Sequence, residues 1–269
     1  MRPDRRRAGM VKRRMAAHMV EMAQSAGLSS AYLTFCSEEE ATLLAELRWL
    51  TRRGLQYHWY NDDYADFSAF LDSLTSRKRK MIRKERELAT SYGLSFSIQR
   101  GDTLRPDEWR RINALYRATT DRRFGNAYLA PGFFASLAAS QGENIILMTA
   151  SRNEEIVAAA FNILSGDTFY GRYWCYAEDW PALHFELCYY QAIEWAIAHQ
   201  LKRVEVGAQG THKILRGYRP TYTWSAHYIA HEGLRKALRD FLVEEAAEMA
   251  AQKRAFEAAL PYRNIFSCE

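Results

Sequence analysis

Long hydrophobic runs are missing from this sequence of 269 residues. No apolar stretch approaches the roughly 18 residues that a membrane-spanning helix needs. The N-terminal segment is rich in arginine, but it lacks the apolar stretch of a secretory signal and continues without a break into the segment before Gly27. We therefore expect a cytoplasmic protein without a membrane span.

Cysteine is scarce, and the four cysteines form neither a CxxC pair nor a set with metal-ligand spacing to the histidines. They are Cys36, Cys175, Cys188 and Cys268. This pattern favours a reducing compartment, with each thiol acting as a small packing residue. We expect no metal site.

Basic charge is concentrated in two segments rather than spread over the chain. Residues 1–14 hold seven basic residues and one acidic residue, and residues 77–86 hold the same numbers. The rest of the chain carries 23 basic and 30 acidic residues. This distribution favours an anionic ligand bound at a defined place over a protein that coats nucleic acid.

The pattern of apolar residues and turns predicts an α/β fold. A first part reads helix, strand, helix, strand, and a long helical region follows from about residue 64 to 91. From Gly93 the chain reads strand, two helices, three strands joined by short turns, helix, strand, loop, strand and helix. The short turns SRNEE and SGD make those three strands antiparallel neighbours. We predict a mixed, largely antiparallel sheet flanked by helices.

Three segments follow from this pattern: a partial first unit in residues 1–62, a connecting basic helix in 63–92 and a complete second unit in 93–269. The first unit holds only two predicted strands, over residues 31–36 and 55–60. Such a sheet has open edges, which promote association. Either a partner covers these edges, in an oligomer for example, or the chain is shortened at its N-terminus.

A helix predicted for residues 182–199 carries two carboxylates within its apolar stripe, Glu186 and Glu194. A carboxylate that faces a core is costly unless it is paired or functional. Because the two are about 12 Å apart along a helix axis, they cannot share one reacting atom. We take Glu186, in the first turn, as the catalytic candidate and Glu194 as an ion-pair residue. The alternative for Glu186 is a pair with an arginine.

The loop EVGAQGTHKILRGYRP is dense in polar side chains between glycines, which let the backbone turn sharply and approach a ligand. It matches neither GxxxxGK[ST] nor GxGxxG, so it is no standard phosphate loop. The alternative is a solvated basic loop. Its candidate site residues are Gln209, His212, Lys213, Arg216 and Tyr218.

Two further places carry candidate residues. The strand GRYWCYAED contributes Arg172 and Tyr173, while we expect Trp174 and Tyr176 to lie in the core or on the sheet face. His184, at the start of the next helix, is either a helix-start hydrogen-bonding residue or part of the site.

In the run SRKRKMIRKER, Arg79, Arg83 and Arg86 share one helix face. We expect this ridge either to bind the phosphates of a nucleotide, carrier or tRNA, or to be a solvated face.

Three stretches carry a resemblance to a known family: WYNDDYADFSAFLDSLTSRKRKMIRKER, FYGRYWCYAEDWPALHFELCYYQAIEWAI and VEVGAQGTHKILRGYRPTYTWSAHY. They resemble the Fem-like N-acyltransferases of the GNAT superfamily, a group of the peptidoglycan biosynthesis/recognition type. The resemblance extends from about Leu28 to the C-terminus. It implies two GNAT-like units, of which the first lacks its opening strands here.

The resemblance implies transfer of an acyl or aminoacyl group to an amine. Lys213 lies where Fem enzymes have a lysine, and would stabilise the developing oxyanion or hold a phosphate of the donor. Glu186 or His212 would accept the amine proton, although positioning alone can supply much of the rate. The resemblance and the local chemistry give the remaining candidates substrate-binding roles: Arg172, Tyr173, His184, Gln209, Arg216 and Tyr218.

The junction YAEDWPALHFEL departs from acetyl-CoA-dependent GNAT enzymes, which carry [QR]xxGx[GA] there. We therefore expect no bound cofactor, and an aminoacyl-tRNA or carrier-bound acyl thioester as co-substrate ahead of acyl-CoA. The acceptor would be a small-molecule or peptide amine. The alternatives are an acyl-CoA-dependent N-acetyltransferase and a non-catalytic binding module.

Overall fold

The computed structural model describes the backbone of residues 5–263 and the side chains of residues 7–122 and 125–263. Within these residues the helices and strands alternate in an α/β order. The strands are β1 (Ser30–Cys36), β2 (Leu50–Tyr60), β3 (Ser95–Arg100), β4 (Ile145–Arg152), β5 (Glu155–Ser165), β6 (Thr168–Tyr176), β7 (Arg203–Glu205) and β8 (Arg219–Ile229). The helices are α1 (Arg5–Ser25), α2 (Glu38–Glu46), α3 (Phe67–Ser73), α4 (Ser76–Thr90), α5 (Pro106–Phe124), α6 (Phe133–Gln141), α7 (Leu183–Phe185), α8 (Gln191–Ala198) and α9 (Glu232–Ala258).

The chain divides into two compact units that do not follow its order from end to end. Among the described residues, one contains residues 5–56 and 220–258, and the other residues 57–219 and 259–263. The predicted GNAT-like segments 1–62, 63–92 and 93–269 were set by the order of the predicted helices and strands along the sequence. That division stays a prediction. The partner expected at the open edge also stays a prediction.

The larger unit is built on a mixed sheet with the strand order β2-β7-β6-β5-β4-β3, to which β2 contributes residues 57–60. Neighbouring strands are antiparallel except β6 and β7, which run parallel. The three predicted antiparallel neighbours, now β4, β5 and β6, are confirmed.

One face of this sheet is covered by α5 and α6. The α5 helix begins with Pro106 at a position where no backbone N–H is needed, and the Glu108 carboxylate accepts the Arg105 N–H at 2.8 Å. Ile112 of α5, Phe134 of α6 and Phe161 of β5 are almost fully buried in the core between them. Burial of such side chains stabilises the unit by about 1.5–3 kcal/mol each.

In the smaller unit, β1 and β8 pair in antiparallel fashion, and a small core joins α1, α2 and the strands. The α2 helix begins at a reciprocal cap, because Ser37 and Glu40 accept each other's backbone N–H at 3.1 and 3.0 Å. In contrast, no residue within Glu232–Ala258 of α9 is buried.

Several predicted boundaries are wrong. The second predicted helix ends at Glu46, and β2 begins already at Leu50, ahead of the strand predicted for residues 55–60. The helical region predicted from 64 to 91 is interrupted at Leu74, whose backbone is extended and pairs with Tyr262. The helix predicted for 182–199 contains one π-helical segment, Glu186–Tyr190, between α7 and α8.

Among residues 5–263, no helix combines the length and the apolar character needed to cross a membrane. Cys36, Cys175 and Cys188 are free thiols, and of these Cys175 is buried. Cys268 lies outside the described residues.

Candidate functional site

A cleft opens in the larger unit where the parallel strands β6 and β7 separate. Their pairing comprises three residue pairs, from Thr168 with Arg203 to Tyr170 with Glu205. Beyond this point the chain after β7 bonds to β2 instead: the Val206 N–H donates to the Tyr57 carbonyl, and the Tyr57 N–H donates to the Gly207 carbonyl. The strands therefore diverge because residues 206 and 207 follow β2.

A β-bulge lies on β6 at the mouth of this cleft. Phe161 pairs with Tyr173 and Asn162 with Gly171, so Arg172 is the extra residue. Bulges next to binding sites commonly redirect a side chain. Here the Arg172 side chain is exposed, with its guanidinium 5.0 Å from the Tyr170 ring centroid.

The cleft holds a cavity of about 700 Å³. Its walls come from β5, β6, the α7–π segment and the chain that follows β7. They are lined by Ala160, Asn162, Gly171, Arg172, Tyr173, Trp174, His184, Cys188, Tyr189, Val206, Gly207, Ala208, Gln209, Gly210, His212 and Lys213. Six of the predicted candidates thus lie together: Arg172, Tyr173, His184, Gln209, His212 and Lys213.

Lys213 is the buried cation of this cavity. Lys213 is only 5% exposed, and its Nζ donates a hydrogen bond to the Val206 carbonyl at 2.6 Å. The same Nζ lies 5.6 Å from the Tyr57 ring centroid. Burial lowers the pKa of Lys213 to about 8, because an ammonium ion loses hydration there. At neutral pH the Lys213 side chain is still mostly a cation. It can therefore stabilise a negative charge that develops in the cavity.

His212 lines the cavity next to Lys213. Its Nε2 lies 3.0 Å from the Tyr189 hydroxyl. Burial lowers the pKa of His212 below its ordinary value, and the nearby charges of Arg216 and Lys213 lower it further. The ring lies over Gly210, where an added Cβ would approach the imidazole Cε1 to 2.3 Å and where φ is +90°. Only glycine allows this ring position.

The helix after β6 supplies the opposite wall with His184, Cys188 and Tyr189. The His184 ring lies 5.3 Å from that of Trp174, 5.1 Å from that of Tyr189 and 6.1 Å from that of His212. The π-helical segment carries Cys188 and Tyr189, and such segments are frequent at functional sites. Burial raises the pKa of the Tyr189 hydroxyl and that of the Cys188 thiol, so both stay protonated.

Glu186 does not belong to this site, which corrects its prediction as a catalytic base. It is 2% exposed, it does not line the cavity, and both its oxygens accept hydrogen bonds from Arg86, at 3.0 and 2.9 Å. Glu194 accepts a third bond from Arg86 at 2.8 Å. The alternative of an arginine pair is therefore the correct one for Glu186, and Glu194 is an ion-pair residue as expected.

Arg216 and Tyr218 also point elsewhere. Arg216 is 4% exposed and forms an ion pair with Glu85 at 2.6 Å, so it does not offer its charge to a ligand in the cavity. Tyr218 is fully buried, and its ring contacts that of Tyr189 at 5.4 Å. Both predicted substrate contacts are wrong because each side chain packs behind the cavity wall.

The predicted ridge of Arg79, Arg83 and Arg86 is not a continuous positive face. Arg79 pairs with Asp72 and Arg86 with Glu186, whereas Arg83 is exposed. Another face of α4 carries a shallow groove of about 390 Å³. It is lined by Arg77, Lys80, Met81, Lys84, Glu85 and Leu88. Three exposed cations of α4, Arg77, Lys80 and Lys84, therefore lie beside this groove rather than on the predicted ridge.

Four residues with polar or aromatic side chains in the cavity wall were not among the predicted site residues. Trp174 was expected in the core or on the sheet face, Cys188 was expected to be a packing residue, and Asn162 and Tyr189 were not considered. Asn162 is 1% exposed, and its Nδ2 donates to the carbonyls of Ile146 and Ala160, both at 3.1 Å. The alternation of β5 and β6 could have placed Asn162 and Trp174 on the cleft face, but nothing local signals the π-helical segment.

Among residues 5–263, no group of three or more histidine, cysteine, aspartate or glutamate side chains is arranged to hold a metal ion.

The mixed sheet with its diverging parallel pair defines a GNAT-like acyltransferase fold. Over residues 1–264 the chain matches the FemAB-like family, described as peptidoglycan biosynthesis/recognition, and it belongs to that family. A search of curated protein sequences finds no match.

Solved structures agree with this fold. The C-terminal domain of a putative lysylphosphatidylglycerol synthetase from Agrobacterium fabrum is 14% identical, with 83% of this chain and 75% of that chain covered and a TM-score of 0.60. FemX is 11% identical, with 84% and 78% covered and a TM-score of 0.58. A tandem GNAT protein from the clavulanic acid biosynthesis pathway is 13% identical, with 81% and 70% covered and a TM-score of 0.50. The family and the fold together support an acyltransferase.

Proposed function

We propose that the protein transfers an acyl or aminoacyl group from an activated donor to an amine, in the cleft between β6 and residues 206–213. One observation carries this proposal. The ammonium group of Lys213 is buried at the cavity wall, and within residues 5–263 it has no ion pair with a carboxylate. Its contacts are the Val206 carbonyl at 2.6 Å and the Tyr57 ring. A buried cation without a counter-ion is costly, and an anionic group in the cavity would offset that cost.

The chemistry follows from these positions. The amine nitrogen attacks the carbonyl carbon of the donor, a C–N bond forms, and the carbonyl oxygen becomes an oxyanion. Lys213 stabilises that oxyanion with a charged hydrogen bond. The bond from carbon to the leaving oxygen or sulfur then breaks, and the leaving group departs with the electron pair. His212, held neutral in the cavity, accepts the proton that the attacking amine loses.

The side chains around Lys213 and His212 orient the two substrates. We assign substrate binding to Arg172, Tyr173, His184 and Gln209, which line the cavity, and add Trp174 and Tyr189 to them. The exposed Arg172 guanidinium at the cavity mouth suits an anionic part of a substrate. Holding both reactants in one cavity lowers the barrier by removing the cost of bringing them together.

For the donor we propose an aminoacyl-tRNA or a carrier-bound acyl thioester, with a small-molecule or peptide amine as acceptor. The glycine-free junction YAEDWPALHFEL offers no close backbone approach to the pyrophosphate of acyl-CoA. The exposed cations Arg77, Lys80 and Lys84 of the α4 groove are available to phosphates of a larger carrier.

Transfer to a small amine tests the proposal. Radiolabelled aminoacyl-tRNA and acyl-CoA pools are offered with hydroxylamine and with short peptides that carry a free amine, and amide or hydroxamate formation is measured. We expect transfer by the wild-type protein, and a roughly 10²- to 10³-fold fall in kcat for Lys213→Ala with the circular dichroism spectrum unchanged.

Lys202→Ala is the matched control, because Lys202 belongs to the same unit but is exposed and paired with Asp167 at 2.9 Å. It should retain full turnover. Wild-type turnover by Lys213→Ala would overturn the assignment of the site, and labelling from acyl-CoA alone would favour the acyl-CoA-dependent alternative.

A further inference from the structure

Behind the cavity wall, Arg216 joins α4, the π-helical segment and the chain after β7. Its Nη2 donates to Glu85 Oε1 at 2.6 Å, and its Nε donates to the Tyr190 hydroxyl at 2.8 Å and to Glu85 Oε2 at 3.1 Å. The Tyr190 hydroxyl in turn donates to the Glu85 carboxylate. Four interactions thus connect three side chains that come from different parts of the unit.

The remaining contacts of Arg216 lead to the site. Its Nη1 donates to the backbone carbonyl of His212 at 2.8 Å. Its guanidinium carbon lies 3.5 Å from the centroid of the Phe185 ring, and that ring lies 5.5 Å from the His212 ring. Arg216 therefore holds His212 both by its backbone and through the ring on which its imidazole packs.

We propose that Glu85, Tyr190 and Arg216 form a positioning network that fixes the turn Thr211–Arg216, and with it His212 and Lys213, in the geometry needed for transfer. The link from this network to transfer rests on the proposed function. None of the three residues lines the cavity beside Lys213, although Glu85 borders the α4 groove, so they are positioning residues. Its physical basis is that Arg216 is 4% exposed and satisfied on both edges of its guanidinium, which leaves the turn one low-energy arrangement.

A neighbouring network provides a matched comparison. Arg86, the residue after Glu85 on α4, binds Glu186 and Glu194 with three hydrogen bonds of 2.8–3.0 Å. This ion pair also involves a buried charge and also connects α4 to the helix after β6. It has no bond to the turn Thr211–Arg216. Loss of either network should weaken the fold, but only loss of the positioning network around Arg216 should displace His212.

The experiment compares Glu85→Gln and Arg216→Lys with the control Glu186→Gln, all in the full chain. The imidazole resonances of His212, identified by their loss in His212→Gln, are recorded by NMR in the protein without substrate. We expect one fixed set of signals in the wild type and in Glu186→Gln, and shifted or multiple signals in Glu85→Gln and Arg216→Lys.

Turnover is measured in parallel where transfer is detected. A displacement of the turn by about 1 Å predicts a roughly 100-fold fall in kcat with KM little changed. Arg216→Lys keeps the positive charge but cannot reproduce the paired hydrogen bonds. Wild-type His212 signals and wild-type kcat in this variant would mean that the charge alone matters, and would overturn the proposal.

Unchanged His212 signals in both Glu85→Gln and Arg216→Lys would overturn it as well. If one variant fails to fold, the other decides. If the wild type shows no transfer, the proposed function fails, but the NMR comparison still decides whether the network holds His212.

Discussion

Two buried charges in the larger unit have opposite surroundings. The Glu186 carboxylate is enclosed by Arg86, with Gln191 Nε2 at 3.4 Å from it, and it does not line the cavity beside Lys213. The Lys213 ammonium faces a cavity of about 700 Å³ and bonds to one neutral carbonyl. Both are at most 5% exposed. Burial alone therefore does not single out a functional charge, and the role that we propose for Lys213 rests on its burial without a counter-ion beside an open space.

The largest effect is expected when the buried Glu186 carboxylate loses its partner. Arg86→Met leaves Glu186 buried without its partner, which should lower the free energy of unfolding by about 3 kcal/mol, near the low end for buried pairs because Arg86 is 28% exposed. Urea denaturation measures the loss. Arg79→Met is the control, since its partner Asp72 is 60% exposed, and it should cost at most about 1 kcal/mol.

The double variant Arg86→Met with Glu186→Leu should recover most of that loss, since it removes both charges. Equal losses in the single and the double variant would show that the arginine stem, rather than the unpaired carboxylate, is responsible.

The next effect concerns the unpaired side. In the folded protein the pKa of Lys213 is lowered to about 8, while in the unfolded chain it has its ordinary value of 10.5. Between pH 8 and pH 10.5 the Lys213 side chain is protonated in the unfolded chain but largely neutral in the folded protein. The free energy of unfolding therefore rises with pH over this range, by up to about 1.4 kcal/mol per pH unit. Below pH 8 the buried ammonium destabilises the fold.

Lys213→Met should abolish that contribution. The difference in unfolding free energy between Lys213→Met and the wild type, measured between about pH 7 and pH 10.5, should therefore shrink as the pH rises. Parallel stability curves over this range would mean that Lys213 is solvated in the folded protein, and the comparison would then lose its basis.

The smallest effect is expected for Glu186→Gln. It keeps the shape of the side chain and removes one hydrogen-bonding charge, so we expect a stability loss of about 1–2 kcal/mol and transfer activity equal to that of the wild type. The assay is the transfer reaction that tests Lys213. A fall of two orders of magnitude in kcat with the fold intact would restore Glu186 as a base.

Local signals predicted the central hairpins well. The turn between β4 and β5 contains Asn153 and Glu154 with φ of 50° and 66°, and the turn between β5 and β6 contains Gly166 with φ of 58°. Such turns are set by their own residues, so SRNEE and SGD were enough to predict antiparallel neighbours. The start of β2 escaped prediction, because pairing with β8 overrides the helical pattern from Leu50 onward.

For the site, the sequence could indicate the polar loop but not the direction of each side chain. Glycines and donors close together marked residues 207–218, and three of the five candidates there line the cavity. Arg216 and Glu186 were misassigned because their partners, Glu85 and Arg86, lie 131 and 100 residues away in the chain. A pairing over such a distance leaves no periodic trace in either segment.

The three-residue contact between β6 and β7 has an evolutionary consequence. The cleft exists because backbone groups of residues 57, 206 and 207 satisfy one another, an arrangement that depends little on side chains except at Gly207, whose φ of 75° favours glycine. The opening can therefore persist while its lining is replaced wholesale. Relatives that share one scaffold at 11–14% identity need not share a substrate, and each lining has to be read anew.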